Sequence, residues 1–233
     1  MVKHFIYVWC ILLLGYIPAI SQEFKYDPSL AEYKYKGYTL IFQDLSGKFD
    51  PALKRKFVET FYKVYPALVK DFNPKEKEKN ISTITFVIDQ SFTGLSYNSG
   101  TTIKFQPNWF NKNPEDIDVV THQLMNILQG YNKYPAPTWL SLGISDYVRF
   151  KYGVNNKAAG WSLTPPYTFD SYINGYRTAA RFLVWLEAKK KQGLVKYLYQ
   201  YLQEKEYTQN IWEQATGKNI SELWIDYMSD SSL

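Results

Sequence analysis

Histidine and cysteine are almost missing from this chain, and their scarcity limits its chemistry more than any residue in excess. There are two histidines and one cysteine in 233 residues. His4 and Cys10 both fall in the first 21 residues, which read as a leader, so His122 is the one imidazole beyond it. Without a second thiol, neither an internal disulfide nor a cysteine-ligated zinc site can form. With one histidine past the leader, no two-histidine metal site forms within a monomer. Long apolar runs are missing too. The longest, residues 5–16, is too short for a comfortable membrane span. Repeats and low-complexity segments are absent, which excludes solenoids and arrays.

The leader is recognisable by its parts. A short basic start (MVKH) precedes the apolar run, and Ala19-Ile20-Ser21 places small residues where a signal peptidase reads, with Gln22 as the first mature residue. The expectation is a secreted protein, extracellular or periplasmic, with no stable membrane anchor after cleavage. Residues 22–233 are expected to form a single domain, long enough to fold without disulfides. Setting Lys3 aside, the 27 basic residues become 26 against 22 acidic ones, a net charge of +4. The run Lys75-Glu76-Lys77-Glu78-Lys79 mixes signs and reads as a solvated loop, so no nucleic-acid partner is expected. A monomer is expected.

The rest of the chain divides into two halves. GYTLIFQD (37–44) and STITFVID (82–89) are rich in aromatic and β-branched residues and read as strands, and GLSYNSGTTIKF (94–105) reads as a hairpin. Between them, Asp50-Pro51 opens a helix whose Leu53, Phe57, Phe61, Val64, Leu68 and Phe72 recur at helical spacing, with Pro66 expected to kink or divide it. This predicts an α+β fold with a small, mostly antiparallel sheet and one helix in the N-terminal half. The C-terminal half reads as helical. Asn113-Pro114-Glu115-Asp116 looks like a helix start leading through His122 to Gly130, and 139–150 follows as a second helix. A loop (153–175) leads into GYRTAARFLVWLEAKKKQG, and Asn219-Ile220-Ser221-Glu222 forms a capping box for the last helix. Asn80 and Asn219 also match the glycosylation acceptor pattern.

Residues 122–126 read His-Gln-Leu-Met-Asn. In a zinc peptidase, histidines four apart on one helix face hold the metal, and a glutamate after the first activates water. His122 has the right chemistry for a first ligand. Gln123 has the length of glutamate but no titratable group, and Asn126 is a poor substitute for an imidazole on zinc. Taken alone, a single histidine on such a helix is more often a packed side chain than a ligand.

Four blocks widen the comparison: DIDVVTHQLMNILQGY, APTWLSLGISDYVRF, GYRTAARFLVWLE and TGKNISELWIDY. In this order and spacing the chain, over about 37–229, resembles the basic secretory protein family of secreted, metallopeptidase-like proteins. The resemblance implies a zincin-like fold of the gluzincin group and a His-Glu-x-x-His helix on 122–126. His122 matches the first ligand, Gln123 stands for the catalytic Glu and Asn126 for the second ligand. The family's Glu-Gly-x-Ala-Asp-Tyr falls on 142–147, so the implied third ligand has become Leu142, while Asp146 and Tyr147 are kept. Tyr176 is also kept, at a position that in such sites stabilises a transition state.

The resulting expectation is a secreted pseudo-metallopeptidase. No catalytic residue is active (Gln123 and Tyr176 being degenerate positions), the ancestral zinc is lost, and Asp146 is a possible metal-binding remnant. An inherited cleft binds a peptide or glycan through Trp139, Tyr147, Trp161 and Tyr176. Trp109, Tyr167 and Phe169 are placed near that cleft or its loop. The alternative is an active metallopeptidase with an atypical ligand set of His122, Asp146 and an outside ligand.

Overall fold

The computed structural model describes residues 24–72, 81–130 and 135–233. The expected signal peptide, the Lys75–Lys79 run and Asn80 lie outside the described residues. Among the described residues no helix is long and apolar enough to cross a membrane.

The N-terminal half builds a five-stranded sheet in the order β1-β2-β3-β5-β4: β1 (Glu32–Tyr35), β2 (Tyr38–Asp44), β3 (Thr83–Ile88), β4 (Ser96–Ser99) and β5 (Thr102–Phe105). Lys36 and Gly37, both at positive φ, close the β1–β2 hairpin in two residues, the backbone hand that suits right-twisted strands. β1, only four residues long, is not recognised in the sequence, although exposed Glu32 and Lys34 alternate with the inward Tyr33 and Tyr35.

The α+β architecture is as expected, but the sheet is mixed rather than mostly antiparallel. β2–β3 and β3–β5 run parallel, while β1–β2 and β4–β5 run antiparallel. The reason lies in the connection. The long helix α1 (Pro51–Phe72) returns the chain to the starting end of the sheet, so β3 must lie parallel to β2. Apolar periodicity identifies a strand but not the direction of its neighbour.

Asp50 caps α1, its Oδ1 accepting from the backbone N–H groups of Ala52 and Leu53 at 2.6 and 3.0 Å. α1 lays Phe57 and Phe61 on Phe86 of the sheet, and Phe57 also meets Phe105 and Phe110 edge-on at 5.0 and 4.9 Å. Each such fully buried ring contributes roughly 1.5–3 kcal/mol of transfer free energy. Pro66 does not divide α1, which is one helix to Phe72. The packing of Tyr65, Leu68 and Phe72 on either side of it outweighs one missing N–H donor.

The C-terminal half is helical: α2 (Pro107–Lys112), α3 (Val119–Gln129), α4 (Thr138–Tyr152), α5 (Tyr176–Lys189), α6 (Leu194–Glu204), α7 (Asn210–Thr216) and α8 (Ile220–Ser229), with one 3-10 turn at Tyr172–Asn174. The helix expected to open at Asn113 opens instead at Val119, and Asn113 is the C-cap of α2. Glu115 and Asp116 are drawn into side-chain partnerships with Lys56, Trp109 and Arg149 rather than a helix dipole. Asn219 does form the expected capping box with Glu222.

A close approach in the helical half positions the site. A Cβ on Gly143 would lie 2.7 Å from the Ala179 Cβ, so only glycine lets α4 and α5 meet there. That contact sets the start of α5 beside Leu142, which comes within 3.7 Å of a Cβ placed on Gly175.

Candidate functional site

A cleft of about 790 Å³ opens between the sheet edge and the helices. β4 supplies Ser96, Tyr97 and Asn98, α3 supplies His122, Gln123 and Asn126, and α4 supplies Leu142, Asp146 and Arg149. Tyr176 and Arg177 enter from the start of α5, Trp161 from the preceding loop and Trp109 from α2. The four positions that the resemblance assigns to the zinc motif, His122, Gln123 and Asn126 on α3 and Leu142 on α4, therefore line one space.

His122 is largely buried, and its Nδ1–H donates to Asp146 Oδ1 at 2.7 Å, with side chains only 11% and 7% exposed. The bond orients the imidazole, as a carboxylate behind a histidine does. Tyr176 stacks on the imidazole with ring centroids 6.2 Å apart and planes 18° from parallel. It occupies φ 45°, a left-handed conformation costly for a side chain of this size.

The substituted positions have found other partners. Gln123 Nε2 donates to Ser96 Oγ at 2.8 Å, and Asn126 Nδ2 donates to Gln123 Oε1 at 3.3 Å. Ser145 Oγ donates to Asn126 Oδ1 at 2.5 Å and accepts from Gln129 Nε2 at 2.6 Å. The result is a chain of amides and hydroxyls, Ser96–Gln123–Asn126–Ser145–Gln129, running from β4 through α3 to α4. Ser96, Ser145 and Gln129 were not singled out in the sequence. The signal for Ser145 lay in the family block, where it replaces an alanine.

These side chains do not make a zinc donor set. His122 is the one imidazole among the described residues, Asp146 is engaged by that same ring, and Leu142 offers no donor atom. Among the described residues, no group of three His, Cys, Asp or Glu side chains stands close enough to share a metal ion.

Two of the four expected cleft aromatics are in place. Trp161 and Tyr176 line the cleft, and Trp109 joins them. Tyr147 does not. It is 7% exposed and faces the other side of α4, where its hydroxyl donates to Glu187. Burial, then the Glu187 contact, push its hydroxyl pKa well up. Trp139 is packed against Tyr172 and Trp212 at 4.8 and 6.0 Å and is not part of the lining. Helical periodicity placed both on α4 but could not tell which face would meet α5 and which the cleft. Tyr167 and Phe169 stack on each other at 5.7 Å, 65% and 86% exposed, outside the cleft lining.

A hydrogen-bonded wall borders the cleft beyond His122 and Asn126. Asp116 takes the Trp109 indole N–H at 2.8 Å on one oxygen and the Arg149 guanidinium at 2.5 Å on the other. Arg149 in turn lies over the Trp161 ring, 4.4 Å from its centroid, and donates to Asn156.

Residues 39–227 match a family model described as a peptidase of plants and bacteria. Two solved structures of an M1 zinc metallopeptidase from Deinococcus radiodurans, one of them a mutant, are similar at 12% and 10% identity, with TM-scores of 0.49 and 0.46. Each match covers 87% of this chain and 51% of the other, so the chain spans about half the length of those structures. No curated protein matches the chain.

Proposed function

The chain belongs to the BSP family, the peptidases of plants and bacteria, and on that premise we propose a secreted pseudo-metallopeptidase that has lost its zinc and holds a peptide in the inherited cleft without cleaving it. The observation that carries this reading is the hydrogen-bonded chain through Gln123, Asn126 and Ser145. Where a metallopeptidase needs a carboxylate base and a second imidazole, this protein has two amides satisfying one another. An amide cannot take a proton from water at neutral pH, so the general-base step has no agent.

Support for a peptide ligand, in preference to a glycan, comes from β4. It pairs with β5 on one side only, and its residues 96–98 line the cleft on the other. An edge strand beside a groove offers unpaired N–H and C=O groups that an extended peptide can match. The alternative reading, an active metallopeptidase with an atypical ligand set, draws its support from the His122–Asp146 pair, which orients an imidazole as a zinc enzyme would.

The test is incubation of purified protein with a defined peptide mixture, with and without added zinc, read by mass spectrometry and by co-elution on a sizing column. The expected result is retention of intact peptides and no new termini. New termini that depend on zinc and vanish in His122→Ala would overturn the reading.

A further inference from the structure

The cleft does not end at the former zinc position. A second cavity of about 390 Å³ opens beside it, and the two share Trp109, Asp116, Trp161 and Arg177. The charged groups of this annex are not equivalent. Asp116 is taken up by Trp109 and Arg149, and Glu115 by Lys56 at 2.6 Å and Asn155 at 2.7 Å. Arg177 differs: it makes no hydrogen bond or ion pair with any other described residue. Its guanidinium carbon lies 6.0 Å from the Trp161 ring centroid. The wall next to it is preorganised, since Asp116 fixes both Trp109 and Arg149 and Arg149 packs on Trp161.

Resting on the peptide reading above, we propose that this annex is a carboxylate-recognising subsite, in which Arg177 grips an acidic side chain or the C-terminal carboxylate of the bound peptide between the two tryptophans. A guanidinium presents paired N–H donors in the fork that a carboxylate matches with two parallel hydrogen bonds. Glu115, Asp116 and Asp146 each have partners of their own in Lys56, Arg149 and His122, so none of these carboxylates is bonded to Arg177. The Trp161 ring lies on one side of the exposed guanidinium, and Trp109 lines the same cavity. An acidic saccharide carries the same anionic group. The β4 edge, running into the same cleft, favours a ligand with a peptide backbone.

The experiment measures fluorescence anisotropy with one apolar hexapeptide in four forms. The first is amidated and uncharged, the second has a free C-terminus, the third is amidated with one internal Glu, and the fourth is amidated with one internal Lys. The wild type is expected to bind at least one carboxylate form about tenfold tighter than the uncharged form, and the Lys form no tighter. Comparison of the second and third arms identifies which carboxylate is read. Arg177→Gln is expected to bring the preferred form down to the affinity of the uncharged one. Lys48→Gln, which removes an equal charge from an exposed position outside the cleft, is expected to keep the preference. Equal binding of all four forms, or a preference that survives Arg177→Gln, would overturn the subsite and leave the peptide reading standing. No binding by any form overturns both, and binding of an oligogalacturonate instead would assign the cleft to saccharide.

Discussion

Asn126, the residue that the family resemblance sets against a second zinc ligand, accepts a 2.5 Å hydrogen bond on its Oδ1 from Ser145, nineteen residues on. Ser145 has no solvent exposure and is further tied to Gln129. The two substitutions therefore complement each other. An amide on α3 and a hydroxyl on α4 join in a polar chain across the helix interface, at whose end Gln129 Oε1 is left without a partner.

Removing one partner is expected to cost more than the bond is worth. Ser145→Ala leaves Asn126 Oδ1 and Gln129 Nε2 each without that hydroxyl, a loss of about 1–3 kcal/mol. For a domain of this size this lowers Tm by roughly 2–4 °C per kcal/mol. Thermal unfolding of Ser145→Ala, Asn126→Ala and the double variant checks it. A coupling of about 0.5–3 kcal/mol is expected, and additive losses would contradict the chain.

Tyr176 carries a conflict between backbone and side chain. Its φ of 45° disfavours any side chain, yet the ring is kept, 54% exposed and stacked on His122. Tyr176→Gly relieves the strain, worth on the order of 1 kcal/mol, and is expected to leave Tm unchanged or raised. Peptide affinity is expected to fall severalfold. A large drop in Tm with affinity intact would mean the ring serves stability alone.

Acid sensitivity is expected from Asp71, which joins α1 to the helical half. The Tyr152 hydroxyl donates to it at 2.7 Å, and this bond, together with Lys196, holds its carboxyl below the usual range despite some burial. A carboxylate with a depressed folded-state pKa adds stability above its unfolded pKa and loses it as pH falls through the folded value. Denaturant midpoints of Asp71→Asn should therefore fall less steeply than wild type below about pH 4. Parallel acid limbs for the two proteins would remove Asp71 from the account.

Much of the fold was legible before any coordinates, but unevenly. Asp50 and Asn219 announced their helices because a cap is a local event, readable within four residues. The single histidine beyond residue 21 was legible by counting, since one imidazole cannot be two. What escaped was set by register between distant elements. Strand direction depends on the route of α1, and the destinations of Tyr147 and Trp139 depend on which face of α4 Gly143 presses against α5. Ser145 looked like an ordinary small residue until its partner on α3 was known. The Asn113-Pro114 start misled because Glu115 and Asp116 had stronger partners elsewhere.

Installing the residues that the family resemblance implies tests the proposed origin of the site. Gln123→Glu, Asn126→His and Leu142→Glu together add one imidazole and two carboxylates to a space that already holds the His122–Asp146 pair. Adding Ser145→Ala removes the hydroxyl left without its amide. The combined variant is expected to take up zinc and to cleave peptides slowly. Failure to bind any metal would show that these side chains do not converge as placed.

The most direct measurement is the zinc-to-protein ratio of the unaltered protein, by plasma mass spectrometry after dialysis against a zinc-buffered solution. Far less than one zinc per chain is expected, with no change in His122→Ala. A ratio near one that collapses in His122→Ala would contradict the loss of the metal site.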